Sequence, residues 1–134
     1  MELVCIFCQI VKGEIPSHKV YEDESFIAFM DIFPRVKGHT LVIPKKHYRW
    51  VYDVPMFGEY WEVTRTVSKA VQKVLQARFV SYVTVGEEVH HAHIHILPQL
   101  KEDSSGIKFT EVIKMEKEDI QNLTEEIKTE LVKV

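Results

Sequence analysis

Between Val89 and Leu97 the chain reads Val89-His-His91-Ala-His93-Ile-His95-Ile-Leu97, an alternation of polar and apolar residues with a period of two. That period fits an extended strand with one buried face and no helix. On such a strand His91, His93 and His95 point one way, while His90, Ala92, Ile94 and Ile96 point the other. The apolar side needs a covering layer, so the fold must place helices against one face of a sheet. With seven histidines in 134 residues, three at alternate positions arise by chance only roughly 2% of the time.

The rest of the chain supplies that sheet and its cover. Lys19 to Glu22 and Ser25 to Asp31 have strand composition, joined through Glu22-Asp23-Glu24. Pro34 to Gly38 breaks the chain, and His39-Thr-Leu-Val-Ile-Pro44 resumes it as a buried strand. From Pro55 to Ala77 apolar residues recur at helical spacing, with Asp53 as the expected cap. Phe79 to Val85 and Val89 to Leu97 are expected to pair antiparallel across a tight turn at Gly86, the second strand ending at Pro98. Residues 101–134 add a polar loop from Lys101 to Gly106, a strand and a C-terminal helix striped by Ile120, Leu123, Ile127 and Leu131. The fold class is therefore α+β: an antiparallel sheet of about five strands, one long helix and a C-terminal helix. No repeat or linker interrupts it, so residues 1–134 are expected to form one domain with its core in about 1–100.

Composition excludes several functions. At 46% hydrophobic the chain can bury a core, which argues against disorder. Its 17 basic and 20 acidic side chains leave no basic stripe for nucleic acid. No apolar stretch approaches a membrane span, and the opening Met-Glu-Leu-Val-Cys lacks the features of a secretory signal, so a cytoplasmic location is expected. In a reducing compartment the pair Cys5-Ile-Phe-Cys8 suggests a metal before a disulfide. A thioredoxin-like redox role competes, but no βαβ pattern surrounds the pair. A free, unmetallated pair is the third reading.

A single histidine is commonly a satisfied structural imidazole. Three in a row need shared partners such as a phosphate, a metal or backbone carbonyls, because each unpaired buried polar group costs about 1–3 kcal/mol. Imidazole can attack phosphorus through one ring nitrogen while the other is held by a hydrogen bond, and can donate to phosphate oxygens. His90, on the opposite face, and His18, in a loop, read as structural or exposed.

At this point the sequence resembles the histidine triad (HIT) family of nucleotide hydrolases and transferases. Its signature of three histidines alternating with apolar residues is matched at every position by His91-Ala-His93-Ile-His95-Ile-Leu97. Cys5-Ile-Phe-Cys8 with Gly13-Glu-Ile-Pro16, Ala28-Phe-Met-Asp31 and Gly38-His-Thr-Leu-Val-Ile-Pro-Lys-Lys-His47 follow in family order. The resemblance implies His93 as nucleophile, with His95 at the phosphate and His39 as a further active-site histidine. It implies Asp31 at the ribose hydroxyls, and Phe29 and Ile32 as candidates to flank a purine base, although plain core accounts for both equally well. Gly86 and Val89 would complete the nucleotide site, their backbone near the phosphate. The Cys-x-x-Cys branch implies structural zinc on Cys5, Cys8, His47 and His91, a closed set of two thiolates and two imidazoles. It further implies a homodimer joined through sheet edges.

The function implied is hydrolysis or transfer at the α-phosphorus of a nucleoside 5′-phosphoramidate or related nucleoside phosphate, through a nucleotidyl-histidine intermediate. The alternatives are a diadenosine polyphosphate hydrolase and a zinc-stabilised nucleotide-binding module without catalysis. The chain departs from the family in two places. The longer loop expected between Val83 and Gly86 is missing, and with it an Asn contact. Glu87 and Glu88 stand where a Gln and a small polar residue are usual, and carboxylates there repel an anionic substrate unless they point to solvent.

Overall fold

The computed structural model describes residues 5–100 and 111–133. Helix α1 (Ile6–Val11) is followed by strands β1 (Lys19–Glu22), β2 (Phe26–Met30) and β3 (Thr40–Pro44), a short 3-10 turn (Val51–Asp53), helix α2 (Phe57–Leu75), strands β4 (Phe79–Val83) and β5 (Ile94–Gln99), and helix α3 (Lys117–Val132). The five strands form one antiparallel sheet in the order β1-β2-β3-β5-β4. This is the α+β arrangement expected from the chain's periodicities.

The alternating side chains of the central strands divide the interior into two layers. Phe26, Ala28, Val42, Ile94 and Ile96 face Tyr60, Val67 and Val71 of α2 and Ile120, Leu123 and Ile127 of α3. Ile27, Phe29, Leu41 and Ile43 face the other way and pack under Phe7 and Ile10 of α1. The long helix closes on Gln76, which adopts the left-handed conformation (φ 53) and donates its N–H back to Gln72 and Lys73 carbonyls.

Several boundaries differ from expectation, for identifiable reasons. Asp53 lies in the 3-10 turn and caps nothing; α2 starts after Met56, without a side-chain cap. The last strand runs from Ile94 to Gln99 instead of Val89 to Leu97, and residues 84–93 form an irregular connection in place of a tight turn. That connection turns away from β4: the Ala92 N–H donates to the Tyr48 carbonyl (2.7 Å), so it joins the loop after β3 instead. The strand continues through Pro98 because its last pairing with β3 is Thr40 with Ile96, and the proline comes after it. The loop expected from Lys101 to Gly106 lies outside the described residues, and residues 111–116 contain no strand.

Candidate functional site

His39 enters from the turn before β3. Gly38 precedes it with φ +88, and a Cβ there would collide with the Leu75 side chain, so only glycine lets the chain turn this close to α2. His95 comes from β5, registered opposite Leu41 of β3 and Val83 of β4. His93 and His91 come from the extended segment just before β5. The three triad residues thus still alternate, although only His95 lies in the strand proper.

Hydrogen bonds set the tautomer of each ring. The Arg35 backbone N–H donates to His39 Nδ1 (3.0 Å), which places the His39 proton on Nε2. That N–H donates to His95 Nδ1 (2.8 Å), so the His95 proton sits on Nε2. His93 donates from Nδ1 to the His91 carbonyl (2.8 Å), which leaves a lone pair on its Nε2. His91 donates from Nε2 to the Pro44 carbonyl (2.8 Å), which turns its Nδ1 lone pair toward the cysteines. The His93 and His95 rings meet edge to face with centroids 5.0 Å apart, and His93 remains 7% exposed. Neighbouring rings thus carry a lone pair on His93 Nε2 and an N–H on His95 Nε2.

Asp31 follows β2 and lies beside this group, its Oδ2 3.5 Å from His39 Nε2 and 3.6 Å from the Arg35 guanidinium. Its Oδ1 accepts the Phe33 N–H. Burial pushes its carboxyl above the usual aspartate range, against the pull of that N–H, Arg35 and His93. Phe29 is buried in the α1 layer, edge to face with Phe7, while Ile32 next to Asp31 is 60% exposed and so is not core. Val89 packs at the margin of the same layer. Gly86 is buried with φ +73, and a Cβ there would come within 3.0 Å of the Trp50 ring. Glu87 and Glu88 are both exposed to solvent. His90 is exposed as expected, and His18 meets Gln121 Oε1 (2.7 Å).

A second cluster lies behind the triad. Cys5, Cys8, His47 and His91 bring four donor atoms within 4.8 Å of one another. His91 Nδ1 is 3.3 Å from Cys5 Sγ and 3.4 Å from Cys8 Sγ, and His47 Nδ1 is 3.2 Å from Cys8 Sγ. A tetrahedron with metal–sulfur bonds of ~2.3 Å and metal–nitrogen bonds of ~2.1 Å has a sulfur–nitrogen edge of about 3.5 Å, so the set fits a metal with little movement. The Pro44 carbonyl fixes the His91 ring in the ligating tautomer, as a supporting hydrogen bond does in metal sites. Burial, with help from Cys5, pushes the Cys8 thiol up to about 11, so metal binding there must displace a proton.

Sequence reasoning missed three contributors. Phe7, lying between the cysteines, presses against His93 (centroids 5.3 Å). Arg35 acts through its backbone N–H, and Pro44 through its carbonyl. A buried Phe inside a Cys-x-x-Cys turn is a legible signal; main-chain hydrogen bonds leave none.

The buried imidazoles make stability depend on pH. Burial first, and neighbouring charges second, push His39 and His95 each down to about 3. The unfolded chain protonates these rings near pH 6.5, whereas the folded one resists until about 3. Stability is thus fully present above about pH 6.5 and is lost as pH falls below it. Two rings at about 1.4 kcal/mol per pH unit each amount to about 4 kcal/mol between pH 6.5 and 5. Burial also pushes His91 down to about 4 and His93 below its ordinary value, so Asp31, whose carboxyl is raised, opposes as one group against four. Urea midpoints measured across that range should fall steeply toward acid; a flat profile would show that the rings are not buried as neutral species.

The antiparallel sheet thus carries a cluster of buried imidazoles beside a thiol–imidazole set whose four donors could hold a metal. The HIT domain family matches residues 12–102, more than half of the chain. The chain belongs to the HIT family. It is 42% identical over 132 residues to an uncharacterised HIT-like protein of Methanocaldococcus jannaschii, covering 93% of this chain and 99% of that one. It is 33% identical over 112 residues to the adenosine 5′-monophosphoramidase of Saccharomyces cerevisiae, covering 80% of this chain and 69% of the yeast protein. Among solved structures it is similar to a Hit-like protein of Bartonella henselae (TM-score 0.84, 34% identity, 97% and 98% of the two chains). It is also similar to a zinc-bound histidine triad family protein of Mycobacterium smegmatis (TM-score 0.81, 28% identity, 96% and 94%).

Proposed function

We propose that this protein cleaves a nucleoside 5′-phosphoramidate, or a related nucleoside phosphate, at the α-phosphorus, with His93 as nucleophile. The observation that carries the reading is the His93 tautomer: its Nδ1–H is tied to the His91 carbonyl, which leaves Nε2 with the lone pair that attack requires. A phosphorus–nitrogen bond forms to Nε2 as the bond to the leaving amine or phosphate breaks, and the leaving group departs with the electron pair, an amine taking up a proton from solvent as it goes. Water then attacks the nucleotidyl-histidine, releasing a nucleoside monophosphate and restoring the ring. His95 donates from Nε2 to a phosphate oxygen, and the relay from the Arg35 N–H through His39 keeps its proton there. Asp31 accepts from the ribose hydroxyls, Phe29 and Ile32 flank a purine, and the backbone at Gly86 and Val89 meets the phosphate. The activity of the yeast relative supports this substrate class.

Residues 1–134 would act as one HIT domain. Zinc is the metal that best suits Cys5, Cys8, His47 and His91, and the zinc-bound mycobacterial relative supports it. When bound it would cross-link α1 to the triad segment and leave no open position for substrate. Free thiols suit a reducing cytoplasm, and no helix among the described residues is long and apolar enough to cross a membrane. Strand β4 lies at the edge of the sheet with Phe79 and Tyr82 exposed, which suits pairing with a second copy in a homodimer. The acidic balance favours no nucleic-acid partner.

Glu87 and Glu88 are exposed to solvent, where their charge is screened, and this supports a catalytic site over a module without catalysis. Turnover of adenosine 5′-phosphoramidate and of a diadenosine polyphosphate tests the reading. The expected kcat/KM is at least about 10-fold higher on the phosphoramidate. The reverse order would establish the dinucleotide hydrolase instead, and nucleotide binding with no turnover of either would establish a binding module.

A further inference from the structure

The structure connects the metal set to the nucleophile by two routes that do not involve substrate. His91 supplies a donor to the metal set through Nδ1 and, through its carbonyl, holds the His93 N–H. Phe7 lies between the two cysteines in sequence, and its ring edge meets His93 at 80° with centroids 5.3 Å apart, and His91 at 77° and 5.9 Å. Helix α1 has six residues, far below the length at which a helix supports itself in water. Its position therefore depends on tertiary anchors, which are the α1 apolar layer and the four-donor cluster.

From this geometry we infer that the Cys-x-x-Cys turn is a positioning device for His93: filling of the four-donor set fixes α1, and Phe7 then holds the His93 ring in its reactive orientation. Phe7 is a positioning residue, acting through His93. An edge-to-face pair contributes about 0.5–1.5 kcal/mol, or roughly 2- to 13-fold in the population of the held ring. Loss of that hold should lower kcat by about this factor.

The inference rests on His93 as nucleophile, so its test has an arm that needs no turnover. Nitrogen-15 spectra of the His93 imidazole would be recorded on zinc-loaded wild type, zinc-loaded Phe7→Leu and chelator-treated wild type, all without nucleotide. Wild type should show one tautomer with the proton on Nδ1. The other two samples should show averaging toward a mixture, and zinc-loaded Phe7→Leu should lose about 2- to 13-fold in kcat with KM changed less than about 2-fold. Identical spectra in all three samples would overturn the inference. So would a Phe7→Leu protein with unchanged kcat and raised KM, since Phe7 would then serve the base and not the nucleophile. A spectrum that behaves as expected in a protein that never labels on His93 would defeat the proposed function and leave the positioning intact.

Discussion

Replacing His93 by alanine is expected to lower turnover by at least ~10³-fold, about 4 kcal/mol of barrier, while nucleotide affinity stays nearly unchanged. The asymmetry follows from the geometry. In the proposed reaction the ring contributes the attacking lone pair, which the Nδ1 hydrogen bond leaves on Nε2, and without it water would have to attack phosphorus directly in a single step. Of the groups assigned to binding, Asp31 lies on another segment and keeps Arg35 beside it, and Gly86, although on the same connection as His93, stays seated against Trp50. His39 and His95 hold each other through their own 2.8 Å bond, so the phosphate donor also survives. Steady-state kinetics with calorimetric binding of a nucleoside monophosphate checks both halves. Turnover within about 10-fold of wild type would refute the assignment of the nucleophile.

The second large effect is expected at the metal set. Cys5→Ser removes one of the two thiolates in the four-donor set and replaces the sulfur that accepts the Cys8 N–H at the start of α1 by a hydroxyl. The serine hydroxyl can still cap the helix, so the loss falls on the metal cross-link to His91 that the proposed zinc would make, and the α1 layer over Phe29, Leu41 and Ile43 is expected to loosen. A loss of about 3 kcal/mol is expected, which for a chain of this size lowers Tm by about 10 °C. The rate constant for the chemical step should fall by no more than about 13-fold, because the cluster reaches His93 only through the His91 carbonyl and the Phe7 ring. Calorimetry of the variant beside metal analysis of wild type is the check. Wild type that binds no zinc, or a variant that melts with wild type, would contradict a structural metal.

Much of this was legible in the chain, and the reasons are local. Alternation between Val89 and Leu97 separated the histidine face from Ala92, Ile94 and Ile96, and the coordinates place those three against the helices. The His91–His93–His95 spacing survives although the segment carrying the first two leaves the sheet, because an extended backbone alternates with or without a ladder partner. What stayed hidden depends on tertiary partners. Nothing in the sequence marks the Arg35 N–H or the Pro44 carbonyl as the groups that fix His39 and His91. Asp53 was a reasonable cap by type, but the 3-10 turn at Val51–Asp53 delays the helix past it. By residue type Ile32 suits a base-flanking position and plain core equally, and only its place after β2, beside Asp31, leaves it exposed.

The central claim is that His93 Nε2 forms a bond to phosphorus. Mixing the protein with a nucleoside 5′-phosphoramidate labelled in its nucleotide part, quenching in denaturant within the first turnover and mapping the label by peptide mass spectrometry tests it directly. The account predicts label on His93 and none on the His93→Ala protein. Full turnover with no labelled histidine, or label carried by His39 or His95, would contradict it.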